Sequence, residues 1–143
     1  MLVQPYLFFE GRCEEALDFY KKAIGAEVTA LMRYKENPEA NCGDMQLPPG
    51  NENKVMHCEF KVGQSTLLAS DGFCRESEAG KYKGFSLSLT VPDAAAARKV
   101  FAALGSDGGK VEMPLDKTFF SECFGMVTDR FGIGWAVGAF PQP

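Results

Sequence analysis

Two stretches of this chain, 80 positions apart, carry the same punctuation. Cys13 and Asp93 open them, and Gly25 and Gly105 close them. Ala16 matches Ala96, Tyr20 matches Val100 and Ile24 matches Leu104, without a gap. In each stretch the apolar residues recur at three- and four-residue spacing, which places them on one face of a helix. In the first, acids at Glu14, Glu15 and Asp18 and bases at Lys21 and Lys22 suit the helix dipole. Asp93 is a good N-cap for the second.

Strand patterns surround both helices in the same order. Leu2 to Phe9 reads as a strand, with Pro5 arguing for an edge. Glu27–Tyr34 follows the first helix, and Val55–Ser70 reads as a hairpin. In the second half Gly84–Val91 alternates Phe85, Leu87 and Leu89 against Ser86, Ser88 and Thr90. Lys110–Leu115 is a strand, and Ser121–Gly138 is a second hairpin, turning at Asp129, Arg130 and Gly132. Each half therefore reads β-α-β-β-β, over residues 1–71 and 84–140 of a single domain spanning 1–143. The expected class is α+β, because one helix cannot cover both faces of a four-stranded sheet. Two such halves predict a curved mixed sheet with helices outside and a concave cup inside, the default place for a ligand.

With 143 residues, 45% of them apolar, the chain can form a core without metal or disulfide. Net charge is −4 with scattered basic residues, which argues against nucleic acid. The apolar runs are too short for a membrane span, and the N-terminus shows no secretory pattern. Five cysteines, Cys13, Cys42, Cys58, Cys74 and Cys123, form no metal or redox spacing, so reduced thiols in a cytoplasmic protein are expected. Lys35–Asn53, rich in Pro, Gly and Asn, reads as a long connector or a lid.

His57 is the chain's single histidine, and Glu59 lies two residues on, so a strand puts both on one face. Met56, Cys58 and Phe60 should then face the helices. The pair could recognise a ligand, bind one divalent ion incompletely, act as an acid–base pair with the carboxylate fixing the tautomer, or simply be a solvated polar pair. Asp129 could be a carboxylate at the cup mouth or an Asx-turn residue, with the turn preferred. Phe119, Phe120 and Trp135 are candidates for an apolar ligand wall or for plain core. Ser86 and Ser88 are candidates for hydrogen bonds to a ligand in the cup.

Taken together, Pro5-Tyr6-Leu7 with Gly11, Glu15-Ala16-Leu17-Asp18-Phe19-Tyr20, Met56-His57-Cys58-Glu59, Ser70-Asp71-Gly72, Val111-Glu112-Met113-Pro114-Leu115 and Phe124–Gly132 with Trp135 resemble the vicinal oxygen chelate superfamily. That superfamily contains glyoxalase I, bleomycin-resistance proteins and extradiol dioxygenases. The chain is most similar to the PhnB-like branch, which is also labelled as a 3-demethylubiquinone methyltransferase-like domain. The resemblance implies the glyoxalase/bleomycin-resistance fold, a small-molecule ligand and a homodimer.

It also implies a metal in many members, held by four ligands. Those positions fall on Pro5, Ser86, Leu67 or Leu68, and Ala136, which supply no good ligand set. The expected protein therefore binds a small molecule without the usual metal; the alternative is an enzyme using His57 and Glu59, with or without one divalent ion. A third reading is a vestigial cup. Methyl transfer is disfavoured, since Gly105-Ser-Asp-Gly-Gly109 lies after a helix rather than at a strand-to-helix turn.

Overall fold

The structure, a computed structural model, describes residues 1–37 and 49–140. The chain divides into two compact units, Met1–Ala79 and a second beginning at Gly80. In the first, the order is β1 (Tyr6–Phe8), α1 (Cys13–Ile24), β2 (Glu27–Arg33), β3 (Val55–Val62) and β4 (Ser65–Ser70). In the second it is β5 (Leu87–Thr90), α2 (Ala94–Leu104), β6 (Lys110–Asp116), β7 (Cys123–Thr128) and β8 (Gly134–Ala139). Each unit is thus β-α-β-β-β, and the α+β class and two-repeat arrangement expected from the sequence are present.

The two sheets have equivalent orders, β1-β4-β3-β2 and β5-β8-β7-β6. The first strand of each pairs in parallel with the last, and the remaining pairs are antiparallel. The parallel pair needs a long crossover, which the helix and two further strands supply. Both first strands are shorter than expected. Pro5 has no N–H to give a ladder, although its carbonyl accepts the Leu68 N–H at 2.9 Å, so β1 begins only at Tyr6. β5 begins at Leu87, after Gly84 at φ 82°.

In the first unit the helix-facing side of the sheet buries Leu7, Phe9, Cys58, Phe60 and Ala69 against Ala16, Leu17 and Tyr20. Tyr20 and Phe60 stack at 6.0 Å. Burying each such side chain contributes about 1.5–3 kcal/mol. The second unit buries Ala97 and Leu104 of α2 with Val127, Trp135 and Val137. Leu7 and Leu87, and Leu17 and Ala97, lie at equivalent places in the two repeats.

The helices are capped differently. Asp93 accepts the Ala96 N–H at 2.8 Å, an arrangement that stabilises a helix by about 1 kcal/mol. Arg12, at the cap of α1, makes no side-chain bond there. Asp71, from the end of β4, does that work instead: its Oδ1 accepts the Cys13 N–H at 2.7 Å. Its Oδ2 accepts the Val55 N–H at 2.7 Å. The connector expected over Lys35–Asn53 lies for the most part (38–48) outside the described residues. Its two ends are joined, with the Tyr34 N–H on the Lys54 carbonyl and the Lys35 N–H on that of Glu52.

Candidate functional site: an aromatic pocket on the first sheet

Alternation along β1 sends Leu7 to the helix and leaves Tyr6 and Phe8 on the opposite, open face. There Tyr6 is 40% and Phe8 45% exposed, and their rings stack at 4.7 Å with planes 5° apart. Next to β1 lies β4, whose Ser70 stands opposite Phe8. The small serine leaves room for side chains from β1 to meet those from β3.

His57 reaches this space because β3 is irregular. Met32 pairs with His57 but Arg33 pairs with Val55, so Met56 is the extra residue of a β-bulge. Val55 and Cys58 are both fully buried, while Met56 and His57 both turn toward the open face. The expectation that Met56 faces the helices with Cys58 and Phe60 is therefore corrected at Met56 alone.

Tyr6, Phe8, Tyr34, Met56, His57, Ser70, Gly72 and Phe73 together enclose a pocket of about 430 Å³. Within it the Tyr6 hydroxyl and His57 Nδ1 are 2.8 Å apart, with the rings edge to face at 5.4 Å. Burial holds the Tyr6 phenol above the usual tyrosine range, so it stays protonated. Burial likewise raises the Tyr34 phenol, which donates to the Gly72 carbonyl. The Ser70 hydroxyl accepts the Gly72 N–H at 2.9 Å and donates to the Val55 carbonyl at 3.5 Å. Among the described residues, no Asp, Glu, Lys or Arg side chain lines the pocket, which leaves the imidazole as its basic group.

Glu59 shares the open side of β3 with His57, since Cys58 and Phe60 on either side of it are buried. It does not line the pocket, however, and it stands opposite Leu68 on β4. The imidazole is held by Tyr6 rather than by Glu59, so of the roles open to the two residues the carboxylate–imidazole pair is not the one seen. Tyr6 was missed from the sequence. Its signal was the alternation of β1, which sends Tyr6 and Leu7 to opposite faces.

The remaining candidates lie in the second unit. Ser88 is exposed opposite Ala136, on the side away from Leu87 and Leu89, and Ser86 is exposed just before β5. Phe119 is fully exposed; Phe120 is partly so, packed edge-on against Phe124 at 5.4 Å. Trp135 is only 3% exposed, on the helix side of its sheet, so of the two roles open to it the structure gives it core rather than ligand wall. Its indole N–H donates to Asp129 Oδ2 at 2.9 Å. Asp129 Oδ1 accepts the N–H groups of Phe131 and Ile133 at 2.9 and 3.1 Å, so this buried carboxylate closes the turn.

Among the described residues no three His, Cys, Asp or Glu side chains are grouped to hold a metal ion. Cys13, Cys58, Cys74 and Cys123 are buried free thiols, and Cys42 lies outside the described residues. Among the described residues no helix is long and apolar enough to cross a membrane. The glycine-rich segment 105–109 follows α2.

Relatives of the chain share its fold and its length. It is 31% identical to protein YjdN of Escherichia coli K12, covering 99% of this chain and 97% of that one. It is 36% identical to protein PA1353 of Pseudomonas aeruginosa, whose crystal structure superposes with a TM-score of 0.80 over 99% of both chains. The PhnB protein of Bacillus cereus is 27% identical, with a TM-score of 0.72 over 97% of this chain and 99% of that one. A glyoxylase/bleomycin resistance protein/dioxygenase domain from Frankia, at 13% identity and a TM-score of 0.61 over 99% and 98% of the two chains, shares the fold. Residues 2–138 match the family described as 3-demethylubiquinone-9 3-methyltransferase. The chain belongs to that PhnB-like family, and its fold is the glyoxalase/bleomycin-resistance fold.

Proposed function

We propose that this protein binds a small, flat, largely apolar molecule in the pocket of its first unit. The observation that carries this reading is the stacked Tyr6–Phe8 pair, left two-fifths exposed on an open sheet face around a 430 Å³ hollow. Pockets of this size lined by aromatics with few polar groups are suited to ring compounds. Phe73, 40% exposed, and the flexible Met56 add to the wall. Recognition without chemistry is favoured over the reading with His57 and Glu59 as an enzyme pair, because Glu59 stands away from the pocket.

Two further features belong to the same reading. Buried free thiols suit a reducing, cytoplasmic setting. Exposed apolar residues on sheet-edge strands, Met32 on β2 and Val111 and Met113 on β6, suit a homodimer.

Naphthalene, a flat apolar ring, is the probe for the test. Saturation-transfer NMR should detect its binding to the wild type. The double variant Tyr6→Ala/Phe8→Ala should abolish the signal, and Phe119→Ala should leave it unchanged. Absence of binding, or binding indifferent to the double variant, overturns the proposal.

A further inference from the structure

Among the described residues, the side-chain polar atoms of the pocket are accounted for with one exception. Tyr34 donates to the Gly72 carbonyl, and the Ser70 hydroxyl is engaged with the Gly72 N–H and the Val55 carbonyl. The Tyr6 hydroxyl is engaged with His57 Nδ1 at 2.8 Å. Among the described residues, His57 Nε2 has no partner, so it is the polar atom left for whatever occupies the pocket.

Which role Nε2 plays follows from the bond at the other nitrogen. A phenol is a good donor and, with its lone pairs drawn into the ring, a poor acceptor; a neutral imidazole nitrogen is a good acceptor. Burial keeps the Tyr6 proton in place. The hydroxyl therefore donates to Nδ1, and the imidazole proton sits on Nε2.

We infer that the pocket selects ring compounds carrying a hydrogen-bond acceptor, bound through His57 Nε2–H, and that Tyr6 sets this preference by fixing the imidazole tautomer. Tyr6 is here both a wall and a positioning residue. No Lys, Arg, Asp or Glu among the described residues lines the pocket, and this favours an uncharged ligand. The inference rests on the proposed binding function and adds the chemical class of the ligand.

Three bicyclic probes of nearly equal shape separate the possibilities: naphthalene with no polar atom, quinoline with an accepting nitrogen, and indole with a donating N–H. Quinoline should bind about threefold to tenfold more tightly than naphthalene, the range of one ordinary hydrogen bond. Indole should gain nothing over naphthalene. His57→Phe should erase the advantage of quinoline. Tyr6→Phe keeps the ring wall but frees the tautomer, so indole should then gain severalfold.

The chain has one histidine, so its imidazole nitrogens can be read without assignment by long-range ¹H–¹⁵N correlation. The expected spectrum has the proton on Nε2 in the wild type and exchange between both tautomers in Tyr6→Phe. A proton on Nδ1, or equal binding of the three probes, overturns the inference while leaving the pocket reading intact. If no probe binds, or binding ignores Tyr6→Ala/Phe8→Ala, the pocket reading falls and the inference with it.

Discussion

Asp71, at the end of β4, holds the N-terminus of α1 through the Cys13 N–H at 2.7 Å, while its second oxygen holds the start of β3 at Val55. One buried carboxylate thus joins three elements of the first unit. Asp71→Asn keeps the shape but replaces one acceptor by an NH₂ group facing an N–H. Hydrogen bonds to charged groups contribute about 1.5–3 kcal/mol each. We expect Asp71→Asn to destabilise the protein by about 2–4 kcal/mol in urea titration. Asp93→Asn, at an exposed cap where asparagine serves nearly as well, should change stability by less than about 0.5 kcal/mol.

Trp135 and Asp129 form the corresponding buried bond of the second unit. Trp135→Phe retains the ring but removes the indole donor to a buried carboxylate, at a cost of about 1–3 kcal/mol. Asp129→Ala removes the acceptor for two backbone N–H groups as well and should be the more damaging of the two. Since Trp135 is the only tryptophan, Asp129→Ala can be followed by its fluorescence. Equal stability of Asp129→Ala and wild type would remove the carboxylate from its place as the organiser of the turn.

The contrast between those two aspartates and the pocket shows what could be read before the structure. The helices, the two hairpins and the β-α-β-β-β repeat are periodic, local patterns, and they were legible. So was the turn role of Asp129, since an aspartate two residues before a bend bonds to its own backbone. Asp71 was not, because its partners Cys13 and Val55 are brought to it by the fold. Tyr6 and His57 meet only because β4 lies between β1 and β3 and presents a serine there. The bulge at Met56 depends on a register with β2 that no local pattern encodes. Trp135 stayed open between wall and core for the same reason: which face of a strand meets the helix is decided by its neighbours.

Alkaline pH should weaken the protein. Burial raises the Tyr6, Tyr34 and Cys74 groups above their ordinary values. Cys13 is pushed far up by its bond with Cys58, whose sulfur is 3.8 Å away, and then by burial. Two buried thiols so close cannot both ionise, so the folded pair releases at most one proton where the unfolded chain releases two. Groups with raised values stabilise the fold fully below their unfolded values, and that stability is lost as pH rises. The window opens near pH ~8.5 for thiols and ~10 for phenols. Urea midpoints should fall from about pH 9 upward, and Cys13→Ala should flatten the first part of that fall. A midpoint constant to about pH 11 would contradict it.

Two glycines with positive φ test how much of a turn is conformation and how much is space. Gly25 ends α1 at φ 69° with nothing within 4 Å of where a Cβ would lie. Gly132, in the turn between β7 and β8, has φ 93°, and its Cβ would lie 2.5 Å from the Gly80 carbonyl oxygen. Gly25→Ala meets only the left-handed penalty, about 1–2 kcal/mol. Gly132→Ala meets that penalty and a backbone collision that no side-chain movement relieves, so it should cost at least about 3 kcal/mol. It should also disturb the neighbouring Asp129 turn, whose carbonyl accepts the Gly132 N–H at 2.9 Å. Thermal unfolding of the two variants side by side decides the matter. If Gly132→Ala is no less stable than Gly25→Ala, the close approach of Gly80 to this turn is not a constraint on the fold.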